Sequence, residues 1–288
     1  MPRDLAPDLA RASDLARETT PGPSSASMTA RAVLHCERRD GVDRLTRLRS
    51  EGPYVLRPTH PKAPEPWTRG TSAAARVSVS AGTAGPLGGD RLSLEVRVGP
   101  GAVLVLNEIS ATLALPGTGG HASEAVFSVR VDDGATLIWM PEPVIAARGC
   151  DHRQSITVAL AGTARFYLRE ELIVGRHREA PGNIAQRVRV TRDGVPVYDQ
   201  DLRSGPRHPG WDSPSVSAGA KAVGTMVVVD PGSGLGRDRS DLIDANTVSV
   251  GVDDDVVVAS AVAADNLALA AALDEALHRL GPAWRPGR

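Results

Sequence analysis

Apolar and polar residues alternate along most of the chain after residue 30. From Leu92 to Val98, every second residue is Leu or Val, and the residues between them are polar. This period of two predicts a β-strand with one buried face. The same kind of apolar pattern predicts strands at 102–106, 127–131, 136–140, 156–160, 164–174, 184–190, 195–200, 222–229, 247–251 and 256–259. Because almost no helical pattern separates these runs, we predict an all-β architecture and not a sheet of βαβ units.

The segments between the strands carry turn signals. Asp132-Asp133-Gly134 and Asp193-Gly194 are typical of hairpin turns, and a run of three aspartates at 253–255 predicts another. Two stretches rich in Gly, Ser, Pro and charge, 204–220 and 230–241, are predicted to be long loops. The second contains a Gly-Ser-Gly-Leu-Gly run at 232–236, whose spacing differs from that of a dinucleotide-binding loop, so a flexible loop is the favoured interpretation.

One helix is predicted near the C-terminus. A leucine recurs there at spacings of four, four and three residues: Leu269, Leu273, Leu277 and Leu280. Asp265 is placed to cap the first turn, and Gly281-Pro282 ends the pattern. The alanines between the leucines suit close packing on a sheet.

Composition excludes several classes of function. The 33 basic and 34 acidic residues give a net charge of -1, and only 3% of residues are aromatic. A nucleic-acid partner is therefore not expected, because such proteins need a basic surface and stacking rings. The two cysteines, Cys36 and Cys150, exclude a disulfide framework and a four-cysteine zinc site. Neither a nucleophile elbow nor an H-E-x-x-H, C-x-x-C, phosphate-loop or EF-hand motif occurs.

The N-terminal part of the sequence differs from the rest. Residues 1–27 contain acids and prolines where a signal peptide needs a basic start and an apolar run, and we predict a disordered extension there. Residues 28–288 are predicted to form a single β-rich domain. No run of about 18 apolar residues exists that could span a membrane. We therefore expect a cytoplasmic protein with no membrane partner.

Three glutamates are candidate functional residues. In the strand predicted at 164–174, alternation places Glu170 on the same face as Phe166 and Leu168, and Glu171 on the opposite face. A carboxylate on a core-facing position is costly unless it is paired, hydrogen-bonded or hydrated. A strand end, a β-bulge or an arginine partner would explain it, and so would a polar, water-filled interior. Glu142, between Pro141 and Pro143, lies in a stiff segment that lacks two backbone donors, so it fits either a structural turn or a functional surface.

Cys150-Asp151-His152 brings three possible metal ligands together in sequence. Thiolate and imidazole suit soft or borderline cations, but consecutive side chains seldom all reach one ion, so a polar loop is the favoured interpretation. His35 and Cys36 lie in a predicted strand and point to opposite faces, which favours a structural role.

Four motifs in order resemble the urease accessory protein family UreD, also called UreH, over about residues 31–281. They are Gly88-Gly89-Asp90 with Leu92 and Leu94, followed by Val98-Gly99-Pro100-Gly101-Ala102; Leu137 with Pro141-Glu142-Pro143 and Ile145; Ala164 and Phe166 with Glu171 and Gly175-Arg176; and the hairpin at 188–194. The chain departs from the family pattern at 107–110 and at Leu115, where the family often shows a Thr-Thr-Gln-like run and a Tyr.

The resemblance implies a β-helix-like stack of sheets with a little helix. It also implies a non-enzymatic scaffold that joins apo-urease to the accessory protein UreF and the GTPase UreG, and that passes nickel through an internal tunnel without binding it tightly. We expect Glu142, Glu170 and Glu171 to line that path, because a conduit should bind its ion weakly at several points. Such a scaffold should also expose apolar patches and be poorly soluble alone.

Three other functions are compatible with the sequence. A β-sheet ligand- or carbohydrate-binding module is the principal alternative, although sugar platforms normally use more aromatic rings. A hydrolase could use Glu142 with Glu170 or Glu171 as a carboxylate pair in an open cleft. A nickel-storage protein could use Cys150 and His152.

Overall fold

A computed structural model describes residues 27–60, 65–68 and 74–284. Its strands are β1 Thr29–Arg39, β2 Val42–Arg49, β3 Tyr54–Pro58, β4 Ala75–Ala81, β5 Arg91–Val98, β6 Val103–Glu108, β7 Thr112–Ala114, β8 Ser123–Val131, β9 Thr136–Met140, β10 Val144–Ala146, β11 Asp151–Leu160, β12 Arg165–Val174, β13 Asn183–Arg192, β14 Val195–Ser204, β15 Ala222–Val229, β16 Ser240–Asp244, β17 Thr247–Asp253 and β18 Val256–Ala263. Helix α1 spans Asn266–His278, and short 3-10 turns cover Pro66–Thr68 and Pro282–Trp284. The extension predicted at 1–27 falls outside the described residues except for Ser27, so it stays a prediction.

The strands form two stacked sheets. Those of the seven-stranded sheet run in the order β14-β13-β11-β8-β5-β1-β2, and the eleven-stranded sheet follows the path β16-β17-β18-β15-β12-β9-β6-β4-β3, with β10 and β7 attached beside β12. From β4 to β13 the chain passes repeatedly between the sheets, so that β5, β8, β11 and β13 are parallel neighbours in one sheet and β4, β6, β9 and β12 in the other. This is a β-solenoid-like stack, which confirms the mostly β prediction.

The main core lies between the two sheets. Inward-facing positions on neighbouring parallel strands stack in rows, such as Leu94 beside Phe127 and Leu137 beside Phe166. These side chains are at most 7% exposed. Burying them removes apolar surface from water, which is the dominant favourable term in folding.

One predicted hairpin is wrong. Asp132-Asp133-Gly134 does not join antiparallel partners, because β8 pairs in parallel with β5 and β11 while β9 lies in the other sheet. Aspartate and glycine favour a tight turn in either arrangement, so the turn signal alone could not distinguish them. The hairpins at Asp193-Gly194 and at 253–255 are confirmed by the antiparallel pairs β13–β14 and β17–β18.

The two predicted long loops consist of turns over most of their length, although β16 begins at Ser240, inside the second. Gly232 and Gly234 donate backbone hydrogen bonds to the carboxylate of Asp255, at 2.9 and 3.0 Å. The glycine-rich segment therefore packs around a side chain of its own chain, at the turn between β17 and β18.

The C-terminal helix is confirmed with its predicted cap. The carboxylate of Asp265 accepts a hydrogen bond from the backbone N–H of Ala268 at 2.9 Å. Leu269, Leu273 and Leu277 are buried, and they pack in a second apolar cluster on the outer face of the eleven-stranded sheet. The leucine spacing places all three on one helix face.

Glycine at position 88 is expected to be required for stability. A Cβ added there would lie 2.6 Å from the backbone N of Gly117 and 2.6 Å from the carbonyl oxygen of His121. Because both are backbone atoms, the loop must shift, and we expect Gly88→Ala to lower the free energy of unfolding by about 1–3 kcal/mol. Urea unfolding followed by circular dichroism measures the change.

Gly119→Ala is the matched control for this prediction. A Cβ at Gly119 would approach only the ring of exposed His121, which can rotate away. We expect a change within about 0.5 kcal/mol. Equal losses in the two variants would contradict the close-packing argument.

Candidate functional site

A cavity of about 70 Å³ lies between the two sheets, with room for several water molecules. It sits where β6, β9 and β12 end and where β8, β11 and β13 begin. Apolar side chains from both sheets line it, among them Leu92, Phe127, Trp139 and Ile156. Its polar lining includes Glu108, Glu142, His152, Gln154, Glu170, Glu171 and Gln186, with Tyr54, Ser80, Ser110 and Thr112. All three glutamates predicted from the sequence therefore meet at one cavity.

The cavity coincides with a break in the eleven-stranded sheet. Trp139 pairs with Leu168, and Val144 pairs with Leu172. Between these two pairs the chain advances five residues from β9 to β10 but only four residues along β12. The segment 140–143 therefore leaves the hydrogen-bonded strand pairing, as the extra residue of a β-bulge does. Prolines at 141 and 143 supply no backbone donor to hold it in place. The sequence motif around Glu142 therefore creates the opening that its side chain lines.

Glu170 faces the interior and is 6% exposed. Its Oε1 atom accepts hydrogen bonds from Nε2 of Gln154 at 3.1 Å and from Nε2 of Gln186 at 2.8 Å. Burial raises the pKa of Glu170 to about 8, against the lowering effect of the two amide donors. Among the described residues, Glu170 has two neutral amide donors and no arginine partner, and it lines a cavity.

Glu171 lies on the opposite side of β12 and has an arginine partner. Arg169 Nε donates to its carboxylate at 2.5 Å, while the same guanidinium bonds Asp274 of α1 at 2.5 Å and the carbonyl of Ala270 at 3.3 Å. Burial raises the pKa of Glu171, and Arg169 counteracts that shift. Glu170 and Glu171 both line the cavity, but the partners of their carboxylates lie on opposite sides of β12. We therefore infer that the cavity extends toward the side of the sheet on which α1 lies.

Glu108 is a fourth carboxyl at the cavity that the sequence argument did not select. Burial raises its pKa to about 8, against the lowering effect of the nearby backbone N–H of Glu142. The signal was present, since Leu104, Leu106 and Glu108 alternate on the inward face of β6 as Phe166, Leu168 and Glu170 do on β12. Glu142 itself lies at the rim and is exposed.

Cys150 and His152 do not form a pair of ligands. The Cys150 thiol donates to the carbonyl of Asn183 at 3.6 Å and packs in a separate apolar cluster, where burial raises its pKa to about 11. His152 lines the cavity instead, with Nδ1 2.9 Å from the hydroxyl of Ser123, and burial lowers its pKa to about 4. Within the described ranges, no group of three or more His, Cys, Asp or Glu side chains could hold a metal ion.

The other motif residues shape the loops before β5 and after β12. Asp90 accepts backbone hydrogen bonds from Met28 and Leu87, each at 2.8 Å, and Gly89 has a φ of 98° that favours glycine. Gly175 likewise has a φ of 88°, and Arg176 forms an exposed ion pair with Glu179. These residues contribute to local structure.

His35 and Cys36 point to opposite faces of β1, as predicted. His35 Nε2 lies 3.3 Å from Glu95 on the outer face, and Cys36 is buried in the main core. Among the helices that the structure describes, none has the length and apolar character to cross a membrane.

Comparison with known proteins gives one consistent family. The family model for the UreD urease accessory protein matches residues 28–287. The chain is 40% identical to urease accessory protein UreD 3 of Streptomyces griseus over 89% of this chain and 97% of that protein. It is 42% identical to UreD 2 of Saccharopolyspora erythraea over 75% and 73% of the two chains, and 37% identical to UreD of Streptomyces coelicolor over 88% and 96%. With the solenoid-like fold and the ordered motifs, these matches show that the chain belongs to the UreD family of urease accessory proteins.

Proposed function

We propose that this chain is a non-enzymatic scaffold of urease maturation that works in the cytoplasm. It bridges apo-urease to UreF and the GTPase UreG, and nickel in transit passes through the cavity between its two sheets. Family membership supports the role in urease maturation. The observation that carries the nickel path is the convergence of Glu108, Glu142, Glu170 and Glu171 on one internal cavity.

The chemistry of these carboxyls suits transfer more than storage. Nickel binds tightly to clustered imidazoles and thiolates, and the described residues contain no such cluster. At Glu108 and Glu170, burial raises the pKa to about 8, so a cation must displace a proton to bind at neutral pH. That competition lowers the apparent affinity, as a path requires when the ion has to leave again.

The rim of the cavity offers a surface for a protein partner. Ile109 is 62% exposed and Leu87 is 40% exposed, and each is adjacent in sequence to residues that line the cavity. Exposed apolar side chains around an opening are typical of protein interfaces. A partner docked there would cover the apolar rim and join its own ion site to the cavity without exposing the ion to bulk water.

Reconstitution tests this proposal. The chain is co-expressed with UreF, UreG and apo-urease, isolated through a tag on this chain, and assayed for urease activity after nickel and GTP are added. A stable complex, with activation lost when this chain is omitted, supports the scaffold role. Equal activation without the chain, or no complex, contradicts it and moves the ligand-binding alternative to first place.

A further inference from the structure

His152 differs from every other histidine of the chain in its surroundings. The sequence has seven histidines. His152 is 1% exposed, whereas the other six are exposed or half-buried. Gln154 lies close enough to stabilise the charged form of the ring, but no hydrogen bond of standard geometry reaches Nε2 from the described residues. Leaving a buried polar atom unpaired is costly, so this nitrogen is a strong candidate for contact with something that enters the cavity.

The contact at the other ring nitrogen is compatible with the form of the ring that can bind a cation. When the ring proton is on Nδ1 and is donated to the hydroxyl of Ser123, 2.9 Å away, Nε2 carries a free lone pair. A hydrogen bond from the second nitrogen is the usual way in which proteins orient a metal-binding imidazole. Ser123 therefore has the position of such an orienting group.

The other ligands that the cavity offers do not discriminate among dications. Carboxylate, amide and hydroxyl oxygens bind Mg²⁺ and Ca²⁺ readily, whereas an imidazole nitrogen prefers Ni²⁺, Co²⁺, Cu²⁺ and Zn²⁺. We infer that His152 is the specificity-determining residue of the path, and that its Nε2 atom makes the cavity select first-row transition-metal dications over Mg²⁺ and Ca²⁺. This inference rests on the proposed function, since it assigns a role within the same path.

A single nitrogen ligand gives selection without tight binding. The Cys150 thiol is hydrogen-bonded to Asn183 in another cluster, so it does not add a second soft ligand. Amides hold one oxygen of Glu170, and Arg169 holds one oxygen of Glu171. A cation at His152 therefore has one nitrogen ligand and otherwise oxygen ligands, which suits an ion that has to leave again.

Calorimetric titration of the full chain with NiCl₂, in the presence and absence of excess MgCl₂, tests the inference. His152→Asn removes Nε2 and retains a polar atom near Ser123, and His121→Asn is the control at an exposed histidine outside the cavity. We expect wild type and control to bind Ni²⁺ alike and to resist Mg²⁺. We expect His152→Asn to bind Ni²⁺ at least roughly tenfold more weakly. We also expect excess Mg²⁺ to weaken the remaining Ni²⁺ binding of this variant. Unchanged nickel affinity and selectivity in His152→Asn overturn the inference.

A second measurement covers the case in which His152→Asn does not fold. The six other histidines are replaced by Asn, and X-ray absorption at the nickel edge is recorded for the nickel-loaded chain. Outer-shell scattering typical of imidazole then comes from His152 alone and supports the inference, and its absence overturns the inference.

Urease activation separates failure of this inference from failure of the proposed function. If activation requires the chain but His152→Asn keeps its preference for Ni²⁺, the inference fails and the scaffold role stands. If His152→Asn loses that preference while urease matures without the chain, the inference stands and the proposed function fails.

Discussion

Replacing Glu170 with Gln is expected to lower nickel-dependent activation of apo-urease by roughly tenfold or more, as expected when a ligand group is lost. The substitution preserves shape and the oxygen that accepts from Gln154 and Gln186, but the amide cannot become an anion. If nickel passes through the cavity, the loss removes the innermost of its carboxyl ligands. The reconstituted assay with apo-urease and the partner proteins measures the rate at which activity appears.

The same substitution should make the chain more stable. Burial raises the pKa of Glu170 to about 8, against 4.5 for an ordinary glutamate. Between these values the folded chain holds a proton that the unfolded chain has released, so the free energy of unfolding falls as pH rises. The glutamine variant is free of this effect, because an amide does not titrate in this range. The stability gain of Glu170→Gln is therefore expected to be small near pH 4.5 and to reach its maximum, a few kcal/mol, above pH 8.

Glu124→Gln is the control for both parts of this prediction. Glu124 lies on the outer face of β8, where it forms an exposed ion pair with Arg91 at 3.2 Å. Exposed pairs contribute little, so activation and the pH dependence of stability should match the wild type. If Glu170→Gln activates urease as fast as the wild type, Glu170 is not part of the path. A gain in stability that is equal at pH 5 and pH 8 would show that the carboxyl is ionised in the folded chain.

The sequence predicts single strands well, because inward and outward positions repeat every two residues. That alternation places Glu170 among core side chains, and the cavity is the reason why a carboxyl can be there. Glu108 follows Leu104 and Leu106 in the same way. Glu108 also belongs to the segment 107–110, which departs from the family pattern, so the family motifs did not identify it.

The arrangement of strands is harder to predict, because it depends on contacts distant in sequence. The turn at 132–134 has hairpin chemistry but connects two sheets, since the inward faces of β8 and β9 are both completed by strands from other turns of the solenoid. The separation of Cys150 from His152 has the same origin. Their neighbours Asn183 and Ser123 come from strands on opposite sides of β11, and short spacing in sequence carries no information about them.

Replacing Asp230 with Ala is expected to lower the free energy of unfolding by about 3–5 kcal/mol, because it removes the carboxylate that pairs with the buried charge of Arg165. Asp230 accepts from Arg165 Nε at 3.2 Å and from Trp284 Nε1 at 3.2 Å, with both charged side chains at most 5% exposed. The guanidinium carbon also lies 3.8 Å from the ring centre of Trp284. These contacts hold the turn at 282–284 against the start of β12. Arg165 also donates to the carbonyl of Trp67, which holds the turn at 66–68 at the same place.

Two further variants identify the source of that loss. Asp230→Asn retains an oxygen that can accept from Trp284 but removes the negative charge, so we expect it to lose less than Asp230→Ala does. Asp199→Ala breaks an exposed pair with Arg187, at 3.0 Å, and should cost at most about 1 kcal/mol. Urea unfolding of the three variants measures the series. A loss below about 1 kcal/mol for Asp230→Ala would mean that water or another group compensates Arg165, and that the contacts of Arg165 with the Ala283 carbonyl and the Trp284 ring, together with the apolar contacts of Trp284, hold the C-terminal turn without Asp230.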